Sequence, residues 1–143
     1  MILVQRMLSE TSMRPVSEQV ELLVERRLFL KRRWRGVAGD GTEFGFDLES
    51  RLKHGGVVYQ TESVDYVVRQ ETELVYQIRP ENPEQAALMG WKIGNLHLGV
   101  QVIDGFIRIV HDTAVLQLFE REGWAYEEVH VVFNPLRVTA HAS

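Results

Sequence analysis

The chain has 143 residues, 45% of them apolar, enough for one ordinary domain or two small ones with a true core, so intrinsic disorder is excluded. It contains no cysteine, which rules out disulfides, thiolate metal sites and cysteine nucleophiles and leaves imidazole, carboxylate or backbone groups for any transition metal. The net charge of -4 is uneven: residues 1–71 balance 11 Lys+Arg with 11 Asp+Glu, whereas residues 72–143 carry 5 against 9.

No apolar stretch approaches the roughly 20 residues that cross a bilayer. The first residues lack the basic start, long apolar middle and small-residue cleavage site of a secretory leader, so a cytoplasmic protein is expected.

The first half reads as strands, because β-branched and aromatic residues recur in short runs between turn signals. Residues 2–8, 20–24, 28–35, 43–48, 57–61 and 63–69 are the predicted strands, and residues 9–17, with Pro15, form a surface loop. Asp40-Gly41 supplies a tight hairpin turn, and Gly55-Gly56 is expected to supply another. Residues 1–71 are therefore read as a small β domain.

Residues 72–143 have a different rhythm. After a strand at 74–78, Asn82 caps a helix, with Pro83 at its first position and Gln85 completing a capping-box pattern. Ala86, Met89, Gly90 and Ile93 form its buried stripe, and Gly94 is the expected C-terminal cap. A hairpin joins 99–103 to 106–110 through Asp104-Gly105. Asp112 then caps a helix with Val115, Leu118 and Phe119 on one face, ended by Gly123, and residues 125–133 are the last strand. The order β-α-β-β-α-β is that of a ferredoxin-like domain, and the whole chain is classed as α+β.

No phosphate-binding glycine loop, nucleophile elbow or metalloprotease histidine pair is present, and no enzyme is expected. The distinctive chemistry lies in five histidines. His97 follows the first helix in a loop able to project a side chain, where it is either a locally bonded residue or a ligand. One imidazole cannot hold a metal alone, but a twofold axis placing His97 opposite its copy would supply two. His111 precedes the Asp112 cap, where the helix dipole disfavours a protonated ring; a partly buried histidine sharing a face with Ile107 and Ile109 is the alternative to a ligand. His141 lies near the chain end, either irrelevant or a swinging ligand. His54, beside a glycine turn, and His130, on the polar face of a strand, are assigned no role.

Residues 26–35 hold a basic run interleaved with Leu28, Phe29 and Trp34. It could grip nucleic acid or an acidic protein surface; the acidic overall charge and the lack of a nucleic-acid-binding motif argue against the former.

Three stretches in order resemble the UreE family of urease accessory proteins. Arg33-Trp34-Arg35 followed by Asp40-Gly41-Thr42-Glu43-Phe44-Gly45 is similar to the family's basic strand, turn and following strand. Gly94-Asn95-Leu96-His97 is similar to its G-N-x-H element, and His111-Asp112 with Phe133-Asn134-Pro135 completes the match. The resemblance implies an N-terminal β domain for protein contacts and a C-terminal domain that dimerises. His97 from both subunits would bind Ni2+, with His111 and His141 as optional further ligands, and Zn2+ or Cu2+ could enter in vitro. The partners implied are an accessory GTPase and the urease apoprotein complex, with no nucleic acid and no membrane. The chain departs from the family in having Thr113 where many members have a second histidine, in Leu96 and Gly99 where arginine and proline are usual, and in lacking a histidine-rich tail. The rival reading is a metal-independent interaction module acting through the basic N-terminal strand.

Overall fold

The computed structural model describes residues 1–136. The chain divides into two compact units, the first Met1–Glu71 and the second beginning at Thr72.

The first unit holds six strands: β1 Ile2–Val4, β2 Gln19–Val24, β3 Arg33–Val37, β4 Glu43–Asp47, β5 Val57–Gln60 and β6 Asp65–Gln70. They form two three-stranded sheets, ordered β1-β4-β3 and β2-β6-β5, around a core that includes Leu22, Phe44, Phe46 and Val68. The β1–β4 and β2–β6 ladders are parallel. Asp40-Gly41 makes the β3–β4 turn as expected: Gly41 takes a positive φ of 88°, and Asp40 Oδ1 accepts from the Thr42 N–H.

Three sequence expectations fail in this unit. The strand expected over residues 2–8 is only β1, Ile2–Val4, with the chain bending at residues 5 and 6. Residues 28–35 are not one strand, because Arg26–Leu30 is a 3-10 helix and β3 starts only at Arg33. Leu28, Phe29 and Leu30 are consecutive apolar residues, a pattern that strand alternation cannot bury, and the tight turn places Phe29 in the core. Gly55 does adopt a positive φ, but Gly55-Gly56 leads into β5 instead of joining sheet neighbours. The β5–β6 hairpin turns at residues 61–64, where Thr61 Oγ1 accepts from the Ser63 and Val64 N–H groups.

Arg14 pins the loop before β2. Its guanidinium reaches the Thr61 and Glu62 carbonyls and Glu18, and its Nε lies 3.1 Å from Oδ1 of the buried Asp65. That approach is off-line for a hydrogen bond, so Oδ1 is held by charge, while Ser12 Oγ donates to Oδ2 at 2.7 Å.

The second unit runs β7 Glu73–Ile78, α1 Pro83–Gly94, β8 Val100–Ile103, β9 Phe106–Val110, α2 Thr113–Glu122 and β10 Glu127–Val131. Its sheet is ordered β10-β7-β9-β8 with every ladder antiparallel, the ferredoxin-like arrangement. Both helices pack on the face carrying Tyr76, Ile78, Ile107 and Ile109. Asn82 and Asp112 cap α1 and α2 through their side chains, and Gly123 ends α2 in the left-handed conformation. The last strand is shorter than expected, since 125, 126, 132 and 133 lie outside its ladder.

After β10 the chain returns to β8: Leu136 N–H donates to the Val100 carbonyl at 2.7 Å. Gly99 permits this path, because a Cβ there would stand 3.3 Å from Pro135 Cβ. Among the described residues, no helix is long and apolar enough to cross a membrane.

Candidate metal centre

The candidate site is built at the C-terminal end of α1. Gly94 was the expected left-handed cap, yet it remains within the helix and Asn95, in the right-handed region, is the C-cap. The left-handed residue is His97, with φ 56°. The chain reaches it by tight turns in which Leu96 N–H donates to Ile93 and His97 N–H to Gly94. An imidazole thus occupies a position that glycine or asparagine ordinarily takes, at a cost of roughly 1–2 kcal/mol.

Neighbouring side chains decide where His97 goes. Leu96 and Leu98 both pack against the core of the second unit, while His97 is exposed. Two apolar anchors on either side therefore turn the ring to solvent. It also sits where the helix dipole is negative and the last carbonyls lack helical partners, a setting that favours a cation. Lys92, on the last turn of α1, forms a salt bridge to Glu122 of α2 and ties down the helix end that carries this loop.

Apolar surface surrounds the elements that His97 joins. Leu88 and Trp91 of α1 are 45% and 65% exposed. A groove of about 390 Å3 runs between α1 and the β8–β9 hairpin, walled by Pro83, Ala86, Gly90, Val100, Val102 and Phe106. The expected stripe on α1 is only partly buried: Met89 and Ile93 are buried, but Gly90 is exposed and faces this groove. Leu88 and Trp91 were not singled out in the sequence, although large apolar residues off the helical stripe were the available signal.

The other histidines are placed separately. His111 leaves the end of β9 on the face expected from Ile107 and Ile109, yet its side chain is 40% exposed. Its ring stacks on Tyr76 at 4.4 Å, and its Nε2 lies 3.2 Å from Glu128 Oε1, so it is engaged on the β7–β10 side of the sheet. Burial, then the nearby Glu128 carboxylate, pushes the Tyr76 hydroxyl above its ordinary range. His54 Nδ1 accepts from the Gln70 N–H at 2.9 Å, and His130 is exposed on β10 opposite Leu74. His141 lies outside the described residues. Among the described residues, no group of three His, Cys, Asp or Glu is placed to hold a metal within one chain. His97 is thus an exposed imidazole that belongs to no such group.

Comparison with known proteins bears on both halves. A family model described as the UreE urease accessory protein, C-terminal domain, matches residues 73–143. A urease accessory protein UreE of Pseudomonas putida is 30% identical over 94% of this chain and 81% of its own length. The Bacillus cereus UreE is 28% identical over 85% of this chain and 82% of its own. For the UreE of Brucella abortus, 31% identical over 60% of this chain, the match spans only 50% of the relative's length.

Proposed function

Because the chain belongs to the UreE family of urease accessory proteins, we propose that it is a nickel metallochaperone, not a catalyst, that carries Ni2+ between two copies of itself during urease maturation. The observation that carries this reading is His97: a strained left-handed residue held outward between two partly buried leucines, and outside any group of three His, Cys, Asp or Glu among the described residues. Backbone strain at a non-glycine residue outside a hairpin turn clusters at functional sites, which motivates this reading of His97. A homodimer joined across exposed Trp91, Leu88 and the apolar groove would oppose two imidazoles, which is the smallest change that makes a nickel site.

Imidazole suits nickel, and a site with few protein ligands and open positions can pass its ion to a better-equipped acceptor. The same donors accept Zn2+ or Cu2+, so selectivity rests on geometry, partner and supply. Protons compete, because only the neutral ring binds. His141 is a further candidate ligand. It follows Leu136, whose N–H donates to the Val100 carbonyl, by five residues in the sequence. His111 is the weakest candidate, being already paired with Glu128. In this reading the second unit binds metal and dimerises, the first makes protein contacts, and the recipients are an accessory GTPase and the urease apoprotein complex in the cytoplasm.

The test is calorimetric titration of nickel into the wild-type chain and His97→Ala, with native mass measurement. One ion shared by two chains, lost in the variant with dimer and fold intact, is expected. Unchanged nickel stoichiometry in His97→Ala would remove the proposal.

A further inference from the structure

The two sheets of the first unit each end in an open edge on β3 and β2. No ladder joins these strands; a bond from Gly39 N–H to the Glu21 carbonyl closes one end. The phase of the β3–β4 ladder is fixed by Leu48 N–H donating to Arg32 and Ala38 N–H donating to Thr42. With Trp34 opposite Phe46 and Gly36 opposite Phe44, antiparallel alternation assigns residues 32, 34, 36 and 38 to bonding with β4. Arg33, Arg35 and Val37 therefore point their backbone N–H and C=O groups out of the sheet, and no described residue meets them.

Charged side chains on such an edge can simply discourage aggregation. Three further features favour pairing. A groove of about 190 Å3 lies between the two edges, walled by Leu22, Trp34 and Gly36 among others, and Gly36 leaves it open for want of a side chain. Val37 and Leu23, bordering that groove, are 62% and 58% exposed. The Trp34 indole N–H is buried without an acceptor.

The exposed edge is basic at Arg33 and Arg35, whereas Glu25, paired with Arg27, and Glu71 line the groove itself, so an acid is drawn to the edge and an apolar side chain to the groove. Arg33 must share Asp47 with Arg32, and Arg35 makes no ion pair among the described residues. On β3 the Arg33, Arg35 and Val37 side chains share one face. We propose that an extended acidic protein segment adds to β3 as a further strand, with carboxylates two residues apart beside Arg33 and Arg35 and an alternate apolar side chain in the groove. This is strand addition, in which main-chain bonds supply affinity and side-chain pockets supply selectivity. Nucleic acid fits less well: Trp34 is already stacked on Phe46 at 3.9 Å, which removes its face as a base platform, and an alternating row of donors and acceptors matches a peptide backbone.

The probe is a fluorescein-labelled peptide, acetyl-Ser-Glu-Val-Glu-Val-Glu-Ser-amide, titrated with the full chain and followed by anisotropy, beside its Lys-for-Glu counterpart and a single-stranded oligonucleotide. The acidic peptide should bind, the lysine peptide should not, and amide exchange should slow at Arg33, Arg35 and Val37. Val37→Pro deletes an outward donor but no charge, and Arg35→Glu reverses an unpaired cation on the surface; each should weaken binding about tenfold or more. If Val37→Pro does not fold, Arg35→Glu and the exchange pattern decide. His97→Ala should bind the peptide like wild type, which separates this surface from the metal site. Failure of the acidic peptide to bind, binding unchanged in Arg35→Glu, no exchange protection on β3, or stronger capture of the oligonucleotide would overturn the proposal.

Discussion

Leu136 donates its backbone N–H to the Val100 carbonyl, so the end of the described chain is fastened to the strand that His97 introduces. Removing residues 137–143 leaves this bond intact while deleting His141. Nickel affinity is then expected to fall by less than about tenfold, with stoichiometry unchanged, because two opposed imidazoles remain. Calorimetry on the truncated chain checks this, and complete loss of binding would move the centre of the site to the tail.

His97 adopts a φ of 56°, which glycine accepts freely and alanine does not. Both His97→Gly and His97→Ala should lose nickel. The glycine variant should nevertheless be the more stable of the two, by about 1 kcal/mol or some 5 °C in the melting of the second unit. Equal melting temperatures would mean that the left-handed backbone is not a source of strain.

Asp40 Oδ2 accepts a 2.6 Å hydrogen bond from the Tyr66 hydroxyl. That bond, followed by the one from the Thr42 N–H, lowers the carboxyl below its usual range. A depressed folded-state value contributes stability that is present above the unfolded value and lost as pH falls through the folded one. Asp40→Asn should therefore lower the melting temperature of the first unit at pH 7, and the gap from wild type should close as pH drops below about 4. A gap that persists at pH 2 would assign the effect to packing.

Asp65 is 2% exposed and meets Arg14 and Ser12. Asp65→Ala strands Arg14, which is partly solvated and keeps its carbonyl contacts, so the loss should be about 2–4 kcal/mol. Urea unfolding measures it, and proteolysis within residues 9–17 should accelerate. A change below about 0.5 kcal/mol would show that the loop is held by other contacts.

The second unit was readable because its signals are local. Asn82 and Asp112 cap helices with their own side chains, and Asp104-Gly105 turns a hairpin whose two residues both need positive φ. The first unit was less readable. Its parallel ladders join strands distant in sequence, which no local pattern reveals, and Leu28-Phe29-Leu30 mimics a buried strand while folding as a tight turn. At the site, the position of His97 in a loop after α1 was legible. Its left-handed backbone was not, since Gly94, three residues earlier, looked the better cap.

The inward packing of Leu96 and Leu98 around an outward His97 separates folding from ligation at adjacent positions. A chain altered only at His97 would fold, escape quality control and pair with normal copies. Under a shared-ligand arrangement each such hybrid offers one imidazole where two are needed. In a cell making equal amounts of both chains, random pairing would leave about one quarter of the dimers fully competent, so a defect at this residue would act dominantly, with a severity set by the ratio of the two chains.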